Sequence, residues 1–281
     1  MQVINSVSEI KRIVADSKRE EKTVGFVPTM GALHNGHLSL VSSSKKNNDI
    51  TIISIFVNPT QFNDKEDLKN YPRTMQLDMD KLSPLKVDYI FAPTESEMYP
   101  EPDQRVFDFG NLDKVMEGAK RPGHFNGVAQ IVSKLFDAVD ADKAYFGDKD
   151  FQQLAIIKQL VRQLNLSIQV IPCPIVRELD GLAMSSRNML LSPTQRASAP
   201  LISKTLFESK ELAKSYSIEK LKQWVIESVN KNPELEVEYF EIADDTDLMP
   251  IESWDEPKIK VGCIAVKVGK IRLIDNIRYN C

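Results

Sequence analysis

The run Ile50-Thr51-Ile52-Ile53-Ser54-Ile55-Phe56-Val57 is apolar at nearly every position, which narrows the ways it can sit in a fold. A strand with one wet face alternates apolar and polar residues. One that is apolar on both faces needs cover on both, and that cover is ordinarily helices packed over a parallel sheet. The first 176 residues supply the rest of such a sheet. Apolar runs at Thr23–Val27, Val87–Ala92, Lys143–Phe146 and Ser167–Ile171 alternate with stretches of helical period. Between Gln152 and Leu164, for example, Leu154, Ile157, Val161 and Leu164 recur at helical spacing. The pattern predicts an α/β fold whose N-terminal domain, residues 1–176, is a Rossmann-like parallel sheet.

Beyond residue 176 the texture changes. Ser192-Pro193-Thr194-Gln195 places a capping residue, a proline at the first helical position and a glutamine at the third, so a helix is expected to start there. Ser217 is a second cap, for a helix whose Leu221, Trp224, Val225 and Val229 face a core. Leu235–Ile242 and Lys258–Val268 read as strands, with a hairpin at Gly269 leading into Lys270–Ile274. The acidic Asp244-Asp245-Thr246-Asp247 reads as a solvated loop. Residues 177–281 are therefore expected to form a smaller α+β domain, and two cores suit a chain of 281 residues.

Composition excludes several function classes. The net charge of −4, with no lysine/arginine block, argues against a general hold on nucleic acid. Cys173, Cys263 and Cys281 form no C-x-x-C pattern, so neither a disulfide framework nor a thiolate zinc site is expected. No apolar run approaches the ~20 residues of a membrane span, and the first residues, Met1-Gln2-Val3-Ile4-Asn5, lack a basic region followed by an apolar one. The expected location is the cytoplasm.

Neither G-x-x-x-x-G-K-[ST] nor G-x-G-x-x-G occurs, so a phosphate would have to be held in another way. Gly31-Ala32-Leu33-His34-Asn35-Gly36-His37 follows the first strong strand and opens a helix, where unpaired N–H groups and the helix dipole converge. His34 and His37, three apart, share a face there and can act as donors if protonated. Taken alone, H-x-x-H is more often a turn with two surface histidines. Two further segments complete a site: Gly147-Asp148-Lys149-Asp150, at the end of a strand, and Met184-Ser185-Ser186-Arg187-Asn188, in the loop that opens the second domain. Ligands of such sheets bind at the carboxyl ends of strands. Lys149 and Arg187 add fixed positive charge.

With these segments the chain resembles the adenylylating nucleotidyltransferase superfamily, which includes the class I aminoacyl-tRNA synthetases, and within it the pantoate–β-alanine ligase family. The similar blocks are Phe26–His37, Phe56-Val57-Asn58-Pro59-Thr60-Gln61-Phe62, Tyr71-Pro72-Arg73-Thr74, Arg121–Val128, Tyr145–Gln153, Met184–Arg187 and Leu273-Ile274-Asp275-Asn276. They are ordered and cover most of the chain.

The resemblance implies condensation of pantoate with β-alanine, driven by ATP cleavage to AMP and diphosphate through pantoyl adenylate. It places ATP against Met30, Gly31, Ala32, Leu33, His34, Asn35, Gly36, His37, Gly147, Asp148, Lys149, Asp150, Val176, Met184, Ser185, Ser186 and Arg187. Catalysis falls to His37, as the acid at the leaving phosphate, with His34, Lys149 and Arg187. Gln61 and Gln153 are the amides for pantoate and β-alanine, beside apolar Met30 and Phe62. Mg2+ is expected with ATP. Where the family carries a run of acids this chain reads Met75-Gln76-Leu77-Asp78-Met79-Asp80, leaving Asp78 as the matching ligand. The resemblance also implies a homodimer. Because Arg187 lies beyond the domain junction while His37 and Lys149 lie before it, the second domain is expected to act as a lid, and the charge and the lack of a long apolar run leave no nucleic acid or membrane partner expected. The rivals are a nucleotidyltransferase that leaves the nucleotide on its product, a non-catalytic nucleotide- or RNA-binding module and, for the metal, a zinc site built from His34, His37 and His124.

Overall fold

The computed structural model describes residues 1–63 and 65–279. Cys281 lies outside them. β1 (Gln2–Ile4), β2 (Val24–Thr29), β3 (Ile50–Ile55), β4 (Tyr89–Phe91), β5 (Lys143–Gly147) and β6 (Gln169–Cys173) form one sheet, in the order β1-β4-β3-β2-β5-β6, with parallel pairing throughout. Successive residues of each strand enter opposite cores, as the period of two requires. Phe26, Ile52, Phe91 and Phe146 pack on one face. Val27, Ile53, Ile90 and Tyr145 pack on the other, beneath Leu40 and Val41 of the helix Asn35–Asn47. The long apolar run at 50–57 is thus covered on both sides.

Winding proceeds from β2 to β3 and β4 on one side and resumes with β5 and β6 on the other. The order therefore reverses between β2 and β5, and the crevice of such a sheet opens at the carboxyl ends of those two strands. β2 runs beyond the predicted Val27, through Pro28 to Thr29. The last β2–β5 pair is Phe26 with Ala144, so at Pro28 the strands have already parted, which is where a central strand tolerates a residue without an N–H. The same parting makes room for a ligand.

β7 (Leu235–Asp244), β8 (Lys260–Val268) and β9 (Ile271–Tyr279) make an antiparallel sheet in that order. It is covered by the helices Leu201–Leu212 and Ile218–Asn230 around Leu221, Val225, Phe240, Ile264 and Val266. Both predicted caps form: Ser192 Oγ accepts from Gln195 N while Gln195 Oε1 accepts from Ser192 N, and Ser217 Oγ accepts from Lys220 N. Gly269, at φ 59°, makes the two-residue hairpin between Val268 and Ile271.

Three readings of the sequence change. β1 was not expected, since two apolar residues at an edge give no periodicity. The acidic loop begins inside a strand: Asp244 is buried, and accepts the N–H groups of Thr246, Asp247 and Met249. β9 continues past Ile274 through Asp275 and Asn276, which are buried because each finds partners. Among the described residues no helix is long and apolar enough to cross a membrane.

The two sheets meet where Met116 and Phe151 pack on Leu248, Val261 and Cys263. Beside this contact Arg272 of β9 donates to both oxygens of Glu117, at 2.6 and 2.7 Å, and Tyr239 Oη donates to the same carboxylate at 2.7 Å. Burial raises the Glu117 pKa, but Arg272 and Tyr239 outweigh it and hold the carboxyl below its ordinary range.

Candidate active site

Between β2 and the helix Asn35–Asn47 the chain makes a turn that few sequences allow. Gly31 has φ 81° and Ala32 φ 50°, and a side chain in that left-handed region is strained. The turn is held from outside. Asp78 accepts from Ala32 N at 3.0 Å and Leu33 N at 2.7 Å, and Thr74 Oγ1 adds a third contact at 3.3 Å. Asp78 is fully buried. Its expected role as a magnesium ligand is therefore corrected: both carboxylate oxygens are spent on the backbone of the loop, with no face toward solvent.

His34 is the N-cap of the helix. Its Nδ1 accepts from Gly36 N at 3.1 Å, and Nδ1 of His37 accepts from His34 N at 3.3 Å. The rings lie 4.0 Å apart. Gly36 leaves room for the ring, because a Cβ there would stand 2.8 Å from Cε1 of His34. A ring nitrogen that accepts from an amide cannot carry the proton, so each neutral ring presents Nε2–H as a donor. Burial, then Lys149, pushes the His34 pKa down to about 4. Burial, then His34 and Lys149, pushes His37 well below its ordinary value. In the ligand-free chain burial comes first and the rings are neutral, so they donate without the added proton that the sequence reading asked for.

Three segments converge on one cavity of about 170 Å³. From the end of β2 come Met30, His34, Gly36 and His37; from the end of β5 come Gly147, Lys149, Asp150 and Gln153; from the loop after β6 come Val176, Met184, Ser185, Ser186 and Arg187. These are most of the residues singled out in the sequence, and they meet at the point where the winding reverses. Met184 N donates to Val176 O at 3.0 Å, Ser185 Oγ accepts from Arg187 N at 3.3 Å, and Asn188 Nδ2 donates to Ala183 O at 3.0 Å, so the loop is folded on itself. A larger cavity of about 530 Å³ shares Lys149, Asp150, Gln153, Ser185 and Arg187 and extends to β9.

Five of the residues expected around ATP are not on the wall. Gly31 and Ala32 shape the turn that Asp78 holds, Leu33 is in the core, Asn35 is exposed on the first helical turn, and Asp148 is turned inward with one buried oxygen unpartnered. Gln61 lines neither cavity; it lies beside Met30, with Nε2 3.1 Å from the sulfur. Among the described residues no cluster of three His, Cys, Asp or Glu side chains could hold a metal ion. That removes the zinc reading. His124 is occupied elsewhere: its Nδ1 lies 2.8 Å from Gln61 O and its Nε2 3.1 Å from Arg121.

Asn58 was not singled out as a site residue, although it lies in one of the matching blocks. It is 1% exposed and donates to Gln61 Oε1 at 3.2 Å and Gly127 O at 3.1 Å, while accepting from Tyr99 Oη at 2.7 Å. It fixes the Gln61 amide. Its position between Val57 and Pro59, at the end of a central strand, was the available signal.

The model of a family described as pantoate-β-alanine ligase matches residues 2–278. A pantothenate synthetase of Porphyromonas gingivalis is 52% identical, with 99% of both chains covered, and one of Fervidobacterium nodosum is 47% identical over the whole of both. The crystal structure of pantothenate synthetase from Thermus thermophilus superposes with a TM-score of 0.92 at 40% identity, covering 99% of this chain and 100% of that one. The pantoate-β-alanine ligase of Francisella tularensis, complexed with β-γ ATP and β-alanine, gives 0.83 at 34% identity, over 99% and 97%. The chain belongs to the pantoate–β-alanine ligase family.

Proposed function

We propose that this chain joins pantoate to β-alanine with cleavage of ATP to AMP and diphosphate, and that it does so through enzyme-bound pantoyl adenylate. A carboxylate is a poor acceptor for an amine because its oxygen is a poor leaving group. Attack of a pantoate carboxylate oxygen on the α-phosphorus expels diphosphate and gives a mixed anhydride. The β-alanine amine then attacks the acyl carbon, loses a proton, and expels AMP. No side-chain nucleophile is needed. The observation that carries this reading is the convergence on one cavity of two Nε2–H donors, Lys149 and the Ser185–Arg187 turn. Donors fixed before the reaction and aimed at charge that develops on departing diphosphate are the most effective catalytic device available to a fold.

Pantoate lies beside Gln61 and Gln153 in this reading. The Gln61 amide rests on a thioether sulfur, a weak acceptor, and exchanges it readily for a substrate oxygen. Asp150 is the carboxylate on the wall that would hold Mg2+, with phosphate and water expected to fill the rest of its shell; bound there, the ion would offset charge on the phosphates. Residues 1–176 bind ATP and pantoate, and residues 177–281 form a lid that brings Arg187 to the cavity and excludes water from the anhydride. A cytoplasmic homodimer belongs to the same reading. Incubation with ATP, magnesium and pantoate tests it: AMP and pantothenate appear in equal amounts when β-alanine is added, whereas a product that retains the nucleotide would support the nucleotidyltransferase rival.

A further inference from the structure

Asp275 and Asn276 break the apolar pattern of β9, yet they are 4% and 5% exposed, on the strand that faces the first domain. Polar side chains at that depth persist only where their hydrogen bonds are matched. Nδ2 of Asn276 donates to Asp148 O at 2.7 Å and Lys149 O at 3.0 Å. One amide thus grips two successive carbonyls of the turn that carries Lys149. Asp275 reaches the other wall: its oxygens take Nη1 and Nη2 of Arg177 at 2.7 and 3.0 Å. Arg177 bridges to Ala183 and donates to Gly181 O at 3.1 Å, bracing the loop that continues into Met184–Arg187. Oδ1 of Asp275 also accepts the Asn276 N–H at 2.8 Å, tying the two arms together.

We propose that Asn276 is a positioning residue that aims Lys149 into the phosphate cavity, with Asp275 bracing the opposite wall. This rests on the ATP reading above. Gly147 is the last residue of β5 held by the ladder, opposite Cys173, and just past it one oxygen of Asp148 is buried without a partner. Lys149 has a long stem, and its ammonium goes where its backbone is set. Its ion pair with the adjacent Asp150 is long, at 3.8 Å, and fixes the ammonium loosely. An amide with two hydrogens, placed across the domain junction, holds that backbone and makes the aim of Lys149 depend on the seating of β9.

The test uses the full chain with Asn276→Ala, Asn276→Asp, Lys149→Ala and the two double variants, measured by steady-state kinetics, calorimetric titration of ATP and thermal unfolding. Asn276→Ala is expected to lower kcat/KM for ATP by about 10-fold or more, as small misplacements of a catalytic group do. Asn276→Asp keeps the shape but turns an acceptor toward two carbonyl oxygens, and so does no better than alanine. In the Lys149→Ala background, removing the Asn276 amide costs less than about 2-fold, because the group it positions is gone. Equal losses with and without Lys149, or an Asp variant that matches the wild type, would overturn the proposal. If the Asp variant does not fold, the alanine cycle decides alone. If the wild type makes no pantothenate, the ligase reading fails instead, and the same cycle read in ATP affinity still decides the role of Asn276.

Discussion

His34 and His37 are locked together at the start of one helix, the N–H of His34 donating to Nδ1 of His37 while Nδ1 of His34 accepts from Gly36 N. The lock leaves both Nε2–H groups as donors without any added proton. His34→Asn separates the two jobs, because asparagine is an excellent N-cap but does not reach the cavity. It is expected to leave the fold intact and slow formation of the adenylate about 100-fold or more, the cost of a donor that acts in the transition state. Single-turnover measurement checks this; a near-normal rate would remove His34 from the chemistry.

Burial sets the acid limit of the fold. His34 and His124 are held at about 4, against about 6.5 in an unfolded chain. The unfolded chain therefore binds more protons between those values, so stability is full above about 6.5 and falls as pH drops from there toward 4. Thermal unfolding is expected to show a lower midpoint at about pH 5 than at about pH 7.5, and a smaller drop in His34→Asn. An unchanged midpoint would show that the rings are not buried neutral.

Asp78 holds the loop and not a metal. Asp78→Ala leaves two amides of a strained turn without acceptors and is expected to cost about 1–3 kcal/mol or more in denaturant unfolding. Asp78→Asn, which keeps the shape, is expected to leave the magnesium dependence of the reaction unchanged. A raised magnesium requirement in that variant would restore the ligand role.

Gln61→Ala and Gln153→Ala are expected to weaken pantoate by about 1–3 kcal/mol, the cost of a polar partner left unpaired, and ATP much less. Titration calorimetry with each ligand distinguishes them. ATP weakened with pantoate unchanged would reverse the assignment.

The parallel sheet was legible because burial on both faces writes itself into β3 as a nearly continuous apolar run, and the second domain because Ser192 and Ser217 announce their helices locally. The site segments were legible as blocks that end strands. What stayed hidden depends on contacts across long stretches of chain. Asp78 looked like a metal ligand because nothing nearby reveals that it answers amides at positions 32 and 33. Asn276 fell beyond the expected strand end at Ile274, and nothing near it in sequence shows that its partners lie at 148 and 149. The neutral state of His34 and His37 was hidden for the same reason: it follows first from burial and then from neighbours such as Lys149, all of which only folding brings about.

The most direct measurement follows oxygen. With pantoate carrying heavy oxygen in its carboxylate, attack on the α-phosphorus transfers one labelled atom to AMP when the amine displaces it, and mass spectrometry of the products reads the transfer. The predicted result is AMP with one heavy oxygen and pantothenate with the other. Unlabelled AMP, or ADP in its place, would contradict an adenylate formed in the cavity between β2 and β5.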